Sequence, residues 1–267
     1  MSREINQIGK EVIGLQIKAL KKLRNSIDQS FDLAVKAIHR CKSKVIICGV
    51  GKSGIIASKI SATLSSVGTP SFSVSASDCS HGDLGRITNK DILILISYSG
   101  NTLELTNIIK YAKSNRILLI GMVSNKDSSL YRSSNIKILI PEVVESGDGI
   151  VPTSSTTAQL AIGDALSVAL MKKKNFGKLD FKKFHPSGSL GSKLKTVEDL
   201  MLTGKKIPFI NETLKMKEAF KIITNKKLGV LIAKNKKGLT TGIITDGQIR
   251  RATQKTENIQ NITVKNV

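Results

Sequence analysis

Five short apolar runs, at 44–49, 71–75, 91–97, 116–122 and 135–140, alternate with helix-forming stretches at 53–67, 102–114 and about 127–133. That alternation restricts the fold more than any other feature. Each run is apolar almost throughout rather than at every second position, the pattern of a strand buried on both faces, and strands separated by helices pair in parallel. The expectation is an α/β fold, a doubly wound parallel five-stranded sheet flanked by helices, with ligands at the carboxyl ends of the strands. Ahead of it, residues 3–40 have a helical rhythm of apolar positions (Ile5, Ile8, Val12, Leu15, then Leu20, Leu23, Ile27, Phe31) and few breakers. They predict a helix or helix pair over 1–43 that packs on the sheet domain or on another subunit.

Three strand-to-helix turns carry the chemistry. The first holds Gly49, Gly51 and Gly54 around Lys52 and Ser53; the second holds Ser97, Ser99, Gly100 and Thr102; the third, Pro152-Thr153-Ser154-Ser155-Thr156-Thr157, opens an apolar helix over 158–171. Hydroxyls and backbone N–H groups at a helix start favour a phosphate dianion. The same residues also serve as plain helix caps. Glu104, two residues into the helix after the second turn, is placed to reach a bound sugar. The glycine spacing of the first turn matches a dinucleotide site, with Asp78 as the ribose-binding acid, whereas the Walker A pattern fails because Ile46 stands where its first glycine belongs. Three such helix starts fit a compact phosphorylated ligand better than an extended dinucleotide, which needs one.

A chain of 267 residues with 40% apolar content suits one medium domain and a small one. It shows neither a secretory signal nor an apolar run of about 18 residues, so a cytoplasmic, soluble protein without a membrane partner is expected. Cys41, Cys48 and Cys79 lack metal-ligand spacing, and Cys48 falls in a strand run, which argues against a disulfide framework; Cys79 is a candidate thiol near the site. The net charge of +22 is uneven: +6 over 1–44, +1 over 45–170 and +15 over 171–267. The domain holding the turns is therefore nearly neutral. With aromatic residues at 4% and no basic recognition helix, no specific nucleic-acid partner is expected.

Residues 175–197, with Gly177, Pro186, Gly188 and Gly191, lead out of the first domain. Thr196-Val197-Glu198-Asp199-Leu200-Met201 then opens a small unit that closes with the runs 228–233 and 242–247, and Thr263-Val264-Lys265-Asn266-Val267 looks like the same opening beginning again. A unit of this kind, met once, is expected to pair across subunits or to be only marginally ordered.

The first and second turns, Ser80-His81-Gly82-Asp83-Leu84-Gly85, the third turn with Gly163-Asp164-Ala165-Leu166, and His185-Pro186-Ser187-Gly188-Ser189-Leu190-Gly191 together resemble the sugar isomerase (SIS) domain family. Within it, the chain resembles the arabinose 5-phosphate isomerases of Kdo and lipopolysaccharide precursor synthesis. The tail resembles a CBS domain. The resemblance implies a SIS domain over 44–192, a small α+β partial CBS-like domain over 193–267, and a homotetramer with shared active sites. It also implies aldose–ketose isomerisation of D-arabinose 5-phosphate and D-ribulose 5-phosphate through a cis-enediol, with no cofactor. On the matching positions the catalytic set is Lys52, His81, Glu104, Glu145 and His185. Glu104 or Glu145 would move the proton, a histidine would open the ring, and Lys52 would steady the oxyanion. Substrate would lie against Gly51, Ser53, Ser97, Ser99, Thr102, Thr153, Ser154 and Ser155, with Gly68 and Thr69 beside the sugar. His185 is the candidate donated by a neighbouring subunit. Glu145 lies one residue closer to the Pro152 turn than in the family pattern, which leaves Glu142 as a rival. Ser75 stands where the family often has a zinc-binding histidine, so no metal is expected. The alternative is a phosphosugar-binding protein without turnover.

Overall fold

A computed structural model describes residues 2–185 and 196–267. The chain forms two compact units, Met1–Leu194 and Lys195–Val267. The first is built on β1 (Val45–Gly49), β2 (Ser71–Ser75), β3 (Ile92–Ile96), β4 (Leu118–Val123) and β5 (Ile136–Leu139), all parallel, in the order β2-β1-β3-β4-β5. Every residue of β1 and β3 is buried, and successive side chains feed two cores. Val45, Ile47, Ile92 and Ile94 pack with α2 (Gln29–Arg40), α3 (Lys52–Ser66) and α7 (Ser154–Lys173); Ile46, Cys48, Leu93 and Leu95 pack with α4 (Ala76–Cys79), α5 (Thr106–Ser114) and α6 (Ser129–Ser133). Helices on both faces explain why these strands are apolar throughout, and the doubly wound α/β expectation holds.

The amino-terminal segment is a helix pair. α1 (Ser2–Ser26) ends before Asp28, whose carboxylate accepts from the Ser30 N–H at 2.8 Å and starts α2. Leu23 enters the core with α2 and α7, but Ile5, Ile8, Ile13 and Ile17 stay half exposed or more. α7 is followed by α8 (Lys178–Phe184). No helix among the described residues is long and apolar enough to cross a membrane.

Three expectations need correction. The helix placed over 102–114 begins only at Thr106, after a 3-10 turn over Leu103–Leu105. The Gly100 carbonyl accepts from the Leu130 N–H at 3.0 Å and the Asn101 side chain accepts from the Ser129 N–H at 2.9 Å, so this turn is tied to α6 instead of starting a helix. α7 starts at Ser154, which puts the hydroxyl cluster inside the helix's first turn. Cys79 is a core side chain, 1% exposed, and burial raises its thiol pKa, so it is not the available thiol expected near the site.

The second unit has a three-stranded sheet, β6 (Phe209–Asn211), β7 (Val230–Lys234) and β8 (Thr240–Thr245), with β6 parallel and β8 antiparallel to the central β7. Around it lie α9 (Val197–Leu200), α10 (Met216–Lys226) and α11 (Asp246–Lys255), and Ile210, Met216, Leu231 and Val264 share its core. The two similar openings differ in environment: Val264 is 2% exposed and its N–H donates to the Leu214 carbonyl, whereas Val197 is 80% exposed. Pro186, Gly188 and Gly191, with the rest of the second histidine motif, lie outside the described residues.

Candidate active site

Because β1 lies between β2 and β3, the chain leaves it first to one side and then to the other. A crevice therefore opens beyond the carboxyl ends of β1 and β3. The first turn is pressed against it: a Cβ on Gly49 would come within 2.7 Å of the Ser53 backbone, and one on Gly54 within 2.8 Å of the Gly49 carbonyl oxygen. The glycine spacing is thus accounted for by strand-to-helix packing, and Gly51, at φ +56°, turns the chain so that Lys52 becomes the first residue of α3. From β3 the chain reaches Tyr98, whose hydroxyl accepts from the Val143 N–H at 2.9 Å and ties the segment after β5 to the crevice.

Between these elements lies a cavity of about 430 Å³. Lys52 and Ser53 line it from the first turn, Tyr98 from the second, Glu145 and Ile150 from the loop before α7, and Ser155 and Gln159 from α7 itself. Glu145 is held firmly. Its Oε2 accepts from the N–H groups of Thr153 and Ser154, both at 2.8 Å, and its Oε1 from that of Ser155 at 3.2 Å. These are the donors a helix start leaves unpaired, so the carboxylate caps α7 and meets the positive end of its dipole. Burial works to raise its pKa, but the hydrogen bonds from Ser155, Thr153 and Ser154 outweigh burial, and the group titrates below its ordinary value. Lys52 is exposed at the rim, and the two bring a cation and an ionised carboxylate to one cavity.

The SIS domain family matches residues 38–169, a span that holds the whole five-stranded sheet. Arabinose 5-phosphate isomerase KdsD of Shigella flexneri is 39% identical over 266 residues, covering 99% of this chain and 81% of that relative. The chain belongs to the arabinose 5-phosphate isomerase family. The Francisella tularensis KdsD is 44% identical over 90% of this chain and 75% of its own. Among solved structures, a protein of Escherichia coli CFT073 in complex with arabinose 5-phosphate is 36% identical and superposes with a TM-score of 0.68, covering 70% of this chain and all of that one.

Of the five positions that the isomerase family's motifs single out, the chain brings Lys52 and Glu145 to the cavity, and the other three do not line it. Glu104 is exposed on the 3-10 turn. His81 is exposed in the turn between α4 and the short helix Asp83–Arg86. His185 follows α8, with Nδ1 2.9 Å from the Phe181 carbonyl oxygen and its ring stacked on that of Phe181 at 3.8 Å.

The hydroxyl turns are more inward-looking than their sequence suggests. Ser97 is 4% exposed; its Oγ accepts from the Gly100 N–H at 2.9 Å and lies 2.8 Å from the Thr102 Oγ1, while Ser99 Oγ accepts from the Asn101 N–H. The backbone N–H groups of Thr153, Ser154 and Ser155, residues whose hydroxyls were expected to meet substrate, hold Glu145. Gly51 carries the turn without lining the cavity. Gly68 and Thr69 correct the expectation outright, because they lie between α3 and β2, at the opposite end of the sheet. There Lys174 donates to the Gly68 carbonyl and to Thr69 Oγ1, both at 2.8 Å, and Phe176 fills the space beside Gly68. Tyr98 and Gln159 are cavity residues that the motifs did not flag. Gln159 had one signal, a carboxamide in the apolar run that follows the hydroxyl cluster of α7.

Proposed function

We propose that this chain is a cytoplasmic aldose–ketose isomerase that interconverts D-arabinose 5-phosphate and D-ribulose 5-phosphate and so supplies the precursor of Kdo. The carrying observation is the pairing of Lys52 with Glu145 in one cavity at the switch point of the sheet. Moving a proton between C2 and C1 needs a base that stays ionised, and a carboxylate stabilised by three backbone N–H groups stays so throughout the neutral range. Its Oε1, which takes the longer contact from Ser155, is the oxygen better placed to exchange a proton. Lys52 lies where negative charge develops on the enediolate oxygen. Glu142 shares no cavity with Lys52, and its backbone carbonyl accepts from Lys22 at 3.1 Å, which favours Glu145 over that rival.

Ring opening falls to a histidine, and we assign His185, with Glu104 and His81, to sites completed by a neighbouring copy in a homotetramer. Support comes from apolar side chains left bare around the strand ends: Ile55 is 71% exposed, Leu103 84% and Ile150 79%. A second copy would cover such side chains. The small carboxyl-terminal unit is read as a partial CBS-like domain. Turnover of D-arabinose 5-phosphate, followed by the ketose formed, tests the reading; saturable binding without turnover would leave a phosphosugar-binding protein instead.

A further inference from the structure

One polar group at the cavity has no role in the proton transfer assigned to Glu145 and Lys52. Gln159 is 1% exposed and lines the cavity one helical turn beyond Ser155. Its Oε1 accepts from the Ser53 hydroxyl at 3.2 Å, and its Nε2 has no hydrogen-bond partner. A buried carboxamide NH2 left unmatched is unfavourable, and native interiors rarely keep one unless something else supplies the acceptor. With Ser53 already on the oxygen, the group of this side chain left unmatched is its NH2, and an NH2 calls for an acceptor oxygen.

Building on the proposed isomerase chemistry, we propose that Gln159 is a catalytic hydrogen-bond donor to the sugar oxygen that becomes anionic in the enediolate, fixed in orientation by Ser53. Two kinds of oxygen could fill the role, the reacting oxygen and the phosphate. The location decides between them. Gln159 shares its cavity with Lys52 and with the proton-moving Glu145, and a base and an oxyanion donor must serve the same pair of carbons. Of the groups the sequence marks for phosphate, Ser97, Ser99 and Thr102 do not line this cavity, and at the third turn, where Ser155 and Thr156 do, the backbone N–H groups of Thr153, Ser154 and Ser155 are taken by Glu145. In each turnover the base takes the C2 proton, the C2–H electron pair forms the C1–C2 double bond, and the former carbonyl pair settles on O1. Gln159 and Lys52 stabilise that oxygen until the O2 hydroxyl proton passes to it; the O2–H electron pair then forms the C2 carbonyl, and the C1–C2 double-bond pair takes the proton held by Glu145 at C1.

The test pairs kinetics with two ligands of the intact protein: a four-carbon hydroxamate phosphorylated at its C4, which imitates the planar enediolate, and arabitol 5-phosphate, which has the phosphate but no carbonyl. Gln159→Leu should lower kcat about 10²-fold with KM little changed, weaken the hydroxamate by a similar factor, and leave arabitol 5-phosphate within about threefold. Ser53→Ala, which frees the amide without removing it, should lower kcat about tenfold; it keeps the question open to measurement should the leucine variant fail to fold. Equal weakening of both ligands would overturn the inference in favour of a phosphate contact, and unchanged kcat would overturn it altogether. Wild-type turnover measured alongside separates the two levels: an active wild type with an indifferent Gln159 sinks only this inference, whereas an inactive wild type sinks the isomerase reading with it.

Discussion

Glu145 and Lys52 face one cavity from different elements, and each lends itself to a substitution that spares the fold. Glu145→Gln keeps an oxygen acceptor for the α7 N–H groups but cannot take a proton, so turnover should fall about 10²–10⁴-fold while the melting transition moves little. Lys52→Met keeps the length and removes the charge, and kcat should fall about 10²-fold or more with KM nearly unchanged. The pH profile carries a sign. Glu145 works ionised, and its folded pKa lies below the ordinary value because the backbone hydrogen bonds outweigh its burial. Activity limited by this carboxylate is thus retained as pH falls to about 4.3, the ordinary glutamate value, and is lost only below it. An acid limb that persists in Glu145→Gln and disappears in His185→Ala would instead assign the limiting group to the histidine.

At the scale of elements, the strand ends are set by groups whose purpose is packing. Asp91, buried ahead of β3, accepts from the Thr88 N–H at 2.7 Å, from Ser43 Oγ at 2.6 Å and from Lys44 Nζ at 3.1 Å, which fastens β3 to the start of β1. Burial opposes its charge, but the hydrogen bonds from Ser43, Thr88 and Lys44 win and hold its pKa at about 2. A depressed carboxylate stabilises the fold above its unfolded pKa and ceases to as pH falls through the folded one. The wild type should lose about 2 kcal/mol between pH 5 and pH 2 from this group, and Asp91→Ala should lose at least that at pH 7 and show a flatter acid limb in denaturant titrations. Gly49→Ala should lower stability by about 1–3 kcal/mol and reduce turnover, because a Cβ there pushes the first turn of α3 and Lys52 with it. The parallel sheet was legible because continuous apolar runs have one common explanation, burial on both faces. The start of α5 was not, because Gly100 and Asn101 bond to α6, a long-range tie that local propensity does not contain. Gly68 and Thr69 were carried over from the family resemblance although the order of the runs placed them otherwise: they fall between the helix run 53–67 and the strand run 71–75, at the amino end of β2, where Lys174 and Phe176 meet them.

On the scale of the whole molecule, Lys52 and Glu145 line the cavity whereas Glu104, His81 and His185 do not, and Ile150 at the cavity and Leu103 on the 3-10 turn are exposed. The motifs single out candidate residues because their spacing survives in sequence; the proposed donation of three of them between copies would be a property of assembly, which no single chain's pattern encodes. Sedimentation should give a tetramer, and Leu103→Asp with Ile150→Asp should dissociate it and lower turnover together. The most direct measurement is conversion of D-arabinose 5-phosphate to ribulose 5-phosphate by the purified protein, read by the ketose formed, with Lys52→Met and Glu145→Gln beside it. Ready turnover by the wild type and its near-complete loss in both variants is the expected result. Saturable binding of the sugar phosphate with no ketose formed, or full activity in either variant, would contradict the assignment of isomerase chemistry to this cavity.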